Sequence, residues 1–167
     1  METIKIHTAQ EFNNLPDKFD KLTNVEIHAN LETFNKTTEN AIFYLKSGNI
    51  YDVRGGTISN VSGGNISRVY GGTISDVRGG TITSIRGGTI SRVYDGTISD
   101  VSRGNISGVY GGTITDVSRG NISGVYGGTI ICVRGGTITD VSGGNISGVY
   151  GGTITDVSGG NIAGKCA

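Results

Sequence analysis

The chain of 167 residues has no tryptophan, one methionine, one proline and two cysteines. Set against thirty glycines, that mixture does not fit an ordinary layered domain. Two thiols are too few for a disulfide framework. Cys132 and Cys166 stand in different repeats at no metal-ligand spacing, so both are expected as free thiols. Fourteen basic residues balance fourteen acidic ones, which removes any long-range pull toward nucleic acid or an anionic membrane. No apolar run approaches the roughly 20 residues of a membrane span. The opening METIKIHTAQEF has neither a basic segment followed by an apolar core nor a lipidation signal, so a cytoplasmic protein with no membrane partner is expected. Glycine is missing too, but only from one part of the chain: all thirty glycines lie at or after Gly48, and the proline is Pro16.

That shift in composition divides the chain into residues 1–46 and 47–167. In the first segment, TIKIH, VEIHA and AIFYL read as strands. Thr8, Ala9, Gln10 and Glu11 have the spacing of a capping box. Phe12, Leu15, Phe19 and Leu22 recur at helical spacing, which predicts a helix from about Ala9 to Leu22 bent at Pro16. A glycine-free apolar segment ahead of a repeat array suits a cap that covers the first coil, here a small mixed α/β one. His7 and His28 read as ordinary surface residues.

From Ser47 the chain is written as fifteen octads. The second position is glycine in every one, from Gly48 to Gly160, and the fourth is isoleucine, from Ile50 to Ile162. The third is always threonine or asparagine. The seventh is valine or isoleucine until Lys165 replaces it. Apolar residues separated alternately by three and five positions fit neither a straight strand nor a helix, so the backbone turns between them. The glycine position supplies one corner and the polar fifth and sixth positions the other. The expectation is an all-β solenoid, or β-helix, of glycine-rich octads.

Two octads per coil give an interior of Ile, Val, Ile, Val. Three give a wider interior that these side chains fill poorly. Stacking alternate octads also places like on like in the third position, as in Asn49 and Asn65 or Thr81, Thr97, Thr113 and Thr129. Two octads, or sixteen residues, per coil is therefore favoured.

No nucleophile, base and orienting group recur together, and no phosphate loop leads into a helix, which argues against an enzyme and against a cofactor. The sixth-position aspartates, such as Asp52, Asp76 and Asp116, resemble a calcium-binding nonapeptide repeat, but the period is eight and the fourth position apolar. They read as solvated carboxylates, with no metal. The outward hydroxyls of Thr-Ile-Thr and Thr-Ile-Ser resemble the faces of ice-binding solenoids. At the eighth position Tyr94, Tyr110 and Tyr126 fall in one column, near Arg78 and the first-position Arg103 and Arg119. Tyrosine and arginine are enriched where interfaces derive their energy, so these six, with the out-of-pattern Ile131, are the candidate partner-binding residues. Lys165 places a gatekeeper charge on the last coil, and that C-terminal coil is also where two copies would pair into a homo-oligomer.

The array VRGGTISNVSGGNISRVYGGTISDV, preceded by TIKIHTAQEFNNLP, resembles small octapeptide-repeat β-solenoid proteins of bacteriophages and prophages of Gram-positive bacteria. The resemblance covers most of the chain. It implies an accessory phage protein of the host cytoplasm that acts by occupying a host defence protein. The leading expectation is thus a non-enzymatic rigid binding module, an inhibitor of a bacterial defence protein. An ice-binding protein and a structural or adhesive phage component are the alternatives.

Overall fold

The structure is a computed structural model and describes residues 1–164. Its N-terminal part comprises β1 (Glu2–Ile6), helix α1 (Ala9–Asn13), β2 (Lys18–Ile27), β3 (Leu31–Phe34) and β4 (Glu39–Leu45). The octads supply β5 (Asn49–Val53), β6 (Thr57–Val61), β7 (Asn65–Val69), β8 (Thr73–Ile85), β9 (Thr89–Val101), β10 (Asn105–Val109), β11 (Thr113–Val117), β12 (Asn121–Val125), β13 (Thr129–Val133), β14 (Thr137–Val141), β15 (Asn145–Ile146), β16 (Thr153–Val157) and β17 (Asn161–Ile162).

Every pairing is parallel, and in the array each strand lies beside the strand one full coil away: Asn49 faces Asn65, Ile50 faces Ile66 and Val53 faces Val69. One coil is therefore two octads, and the chain is a β-solenoid. The partners run through the third, fourth, sixth and seventh positions and skip the fifth, as where Ile58 faces Ile74 and Asn60 faces Asp76. The backbone bends there without losing the ladder, which allows fourth-position Ile and seventh-position Val to point into one interior.

That interior is apolar. Ile50, Val53, Ile98, Val101 and their counterparts up to Val141 are fully buried. Each such side chain contributes roughly 1.5–3 kcal/mol relative to exposure. The other corner depends on glycine geometry. At Gly72 φ is +77°, and a Cβ would sit 2.6 Å from the carbonyl oxygen of Gly56 one coil below, so both the left-handed backbone and the close stacking demand glycine.

In the N-terminal part the capping box forms as expected: Glu11 N–H donates to Thr8 Oγ1 at 3.2 Å, and His7 N–H and Thr8 N–H donate to Glu11 Oε2 at 2.7 and 3.1 Å. The His7 N–H bond, with a smaller contribution from Thr8, holds the Glu11 carboxyl below its usual pKa against some desolvation. The helix, however, ends at Asn13, and Lys18–Ile27 is strand. Pro16 forces its predecessor out of the helical region, and the apolar period that continues past it belongs to β2, where Leu22 is half exposed. His7 and His28 stack at 5.4 Å between ring centres. The sheet passes straight through the change in composition, with β3 beside β5 and β4 beside β6.

Candidate functional site

Positions six and eight of each octad project together from the rod, and because the coil holds two octads they form two flanks half a coil apart. On one flank the ladder brings Tyr94, Tyr110 and Tyr126 into a stack, with ring centres 5.2 and 4.9 Å apart and planes within 25°. Sequence order gives Tyr110 and Tyr126 their seats. The sixth-position Gly108 and Gly124 leave the strand bare, and each ring lies over the glycine two residues before it, where a Cβ would meet Tyr110 Cε2 at 2.8 Å or the Tyr126 ring at 2.5 Å. The rings cover backbone that glycine leaves exposed. Their outer surfaces stay open, at 36%, 48% and 46% exposure. Arg78 closes one end of the stack, 4.7 Å from the Tyr94 ring centre.

Below that stack lies an ionic cluster. Arg92 Nε and Arg78 Nη2 donate to the two oxygens of Asp76 at 2.7 and 3.1 Å, and both guanidiniums lie on Tyr94. The same set of an aspartate, two arginines and a tyrosine occurs on the opposite flank. There Arg68 Nε and Arg54 Nη2 donate to Asp52 at 2.7 and 2.8 Å, and both lie on Tyr70. Tyr51 adds a second ring over Arg68, at 4.5 Å. From Asp52 to Asp76 the chain advances three octads, one and a half coils, which moves the motif to the other side of the rod. The sequence signal of the two clusters is the repetition of DVR at 52–54 and 76–78 and of SRVY at 67–70 and 91–94.

These contacts correct the reading of the aspartates as solvated. Asp52 is 4% and Asp76 8% exposed, each between two arginines. Burial opposes ionisation of Asp52, yet the hydrogen bonds from Arg54 and Arg68 outweigh it and set its pKa below the usual aspartate value. Among the described residues, no group of three or more His, Cys, Asp or Glu is placed to hold a metal ion.

Arg103 and Arg119, grouped with the tyrosine column in the sequence, stand on the other flank. They follow Ser102 and Ser118 in the turn that also carries Arg86, and Arg103 lines a groove of about 460 Å³ with Tyr70, Arg86, Asp100 and Ser102. Their corners are built differently. Gly104 and Gly120 are the two second-position glycines outside the left-handed region. Both are buried, facing Ile85 and Val101 respectively, while the arginines before them are exposed.

Ile131 is 44% exposed, on β13 beside Cys132. The expectation of free thiols is overturned at Cys132, which is disulfide-bonded; Cys166 and Lys165 lie outside the described residues. No helix among the described residues is long and apolar enough to cross a membrane. No protein-family model, no curated protein and no solved structure matches the chain.

Proposed function

We propose that the chain is a non-enzymatic, rigid protein-binding module whose contact surface is the stack of Tyr94, Tyr110 and Tyr126 with Arg78 at its end. The stack carries the proposal: three amphipathic rings are held in fixed register by the ladder and left open on their outer side. Such a surface loses little side-chain entropy on binding, which is what preorganisation contributes to affinity. Following the resemblance to octapeptide-repeat phage proteins, the partner is a host defence protein and the site of action the bacterial cytoplasm.

The experiment is a pull-down from bacterial lysate with the wild-type chain and with a variant carrying Tyr94→Ser, Tyr110→Ser and Tyr126→Ser. A partner retained by the first and lost from the second, with unchanged circular dichroism, is the expected result. Equal capture, or none by either chain, counts against it.

Ice binding is a second reading, favoured by one observation: Thr81, Thr97, Thr113 and Thr129 stand in register on consecutive coils. Thermal hysteresis of the purified chain tests it, and zero hysteresis removes it. Pairing of two copies through the last coils rests on the exposure of Val157 and Ile162, at 51% and 39%. Light scattering is expected to give twice the monomer mass, falling to the monomer in Val157→Lys.

A further inference from the structure

The chain has eight arginines. Arg54, Arg68, Arg78, Arg92 and Arg134 are each paired with an aspartate at 2.7–3.1 Å. Arg86, Arg103 and Arg119 have no acidic partner among the described residues. These three are not scattered. They occupy the same turn of three successive coils, so their backbones are about 4.8 Å apart along the rod.

The groove that Arg86 and Arg103 line holds one carboxylate, Asp100, and Arg119 follows Ser118 in the same turn one coil further on. Asp100 accepts from the Ser102 hydroxyl at 2.8 Å and from the Ser118 hydroxyl at 2.9 Å, which turns its oxygens to the hydroxyls. The wall of the groove is set by Tyr70, whose ring already has Arg54, Arg68 and Arg86 around it. A flat base has no clear ring face to stack on, and what the groove offers a ligand is positive charge in a line. The corners that present Arg103 and Arg119 are also the two that abandon the regular glycine turn. The departures from the scaffold therefore coincide with a turn where three guanidiniums stand against a single carboxylate, which leaves the groove net positive.

We infer that this flank is a binding site for a linear oligophosphate, a ligand with a negative group on each of at least three linked units. Guanidinium suits phosphate because its planar fork donates two parallel hydrogen bonds. A row of three, one per coil, engages successive phosphoryl groups of one chain, whereas orthophosphate reaches only one or two of them. The requirement is met equally by inorganic tripolyphosphate and by the triphosphate of a nucleotide. The site is separate from the tyrosine stack and goes beyond protein binding.

Isothermal titration of the full chain at low ionic strength, where exposed charges are least screened, uses sodium tripolyphosphate, ATP and sodium orthophosphate as probes. Tripolyphosphate is expected to bind one per chain and at least about tenfold more tightly than orthophosphate. ATP matching tripolyphosphate identifies the bare triphosphate as the determinant, and ATP binding more tightly identifies a nucleotide as the ligand. Arg103→Gln is expected to weaken tripolyphosphate about tenfold, the effect of losing one charge-assisted contact, and Arg86→Gln with Arg119→Gln to abolish it. Lys21→Gln, an exposed cation of the N-terminal part, leaves it unchanged. Circular dichroism and melting of each variant establish that it is folded. No binding of tripolyphosphate, affinity equal to that for orthophosphate, or equal binding by folded Arg103→Gln overturns the inference.

Discussion

In the first coils Phe12, Phe34 and Phe43 pack ring against ring at 5.2–6.2 Å, and the strands pair at uneven spacing, with Thr23 beside Ala41 but Leu31 beside Ile50. In the array each interior layer is Ile and Val and the spacing is a constant two octads, as where Ile106 faces Ile122 and Val109 faces Val125. The difference shows two ways to close the same cross-section. Large rings fill coils of irregular length, whereas modest β-branched side chains serve only where every coil repeats the last.

The sharpest way to break that comparison is to remove an interior side chain from each part. Phe34→Ala is expected to cost about 3–5 kcal/mol and Ile98→Ala about 2–5 kcal/mol. Amide hydrogen exchange distinguishes them: the first loosens β1 to β5 and leaves the distal coils protected, while the second opens β8, β9 and β11 around it, as nearest-neighbour stability requires.

Next in size is a pair of glycines. Gly72→Ala meets both a positive φ and the Gly56 carbonyl, so a loss of more than about 1 kcal/mol is expected in chemical denaturation. At Gly55 φ is outside the left-handed region and a Cβ meets nothing within 4 Å, so Gly55→Ala is expected to be neutral or to stabilise by a few tenths of a kcal/mol.

A third test uses pH. The folded-state pKa of Asp52 lies below the usual aspartate value, so the folded chain binds fewer protons there than the unfolded one. The contribution is complete above about pH 4 and disappears as pH falls through the depressed value. Melting temperature measured from pH 6 to pH 2 is expected to fall less steeply in Asp52→Asn than in the wild-type chain. At the surface, Tyr110→Ser removes two stacking contacts and is expected to cost about 0.5–1.5 kcal/mol by thermal melting.

The array was legible because its invariants are backbone requirements: glycine where the corner needs positive φ, Ile and Val where the interior needs β-branched bulk. The Thr8–Glu11 capping box was legible for the same reason, since it is satisfied within four residues. What followed was misread, because Phe12, Leu15, Phe19 and Leu22 keep a helical spacing that Pro16 does not let the backbone follow. β3, only four residues long, carries too short a pattern to stand out from a loop. The tyrosine column was legible from the octad alignment and the two-octad coil. The Asp–Arg–Arg–Tyr clusters were not, because their members come from two coils.

The sequence alone thus determined the period, the interior and the corners, since each is imposed by a residue type acting on its own backbone. Only the tertiary structure decided which polar side chains meet. It buried Asp52 and Asp76 between arginines, seated Tyr110 and Tyr126 on Gly108 and Gly124, and set Arg103 and Arg119 on the flank opposite the tyrosines. Those outcomes depend on which coil lies on which and on how each turn faces, and a parallel ladder fixes both only when the whole rod is wound.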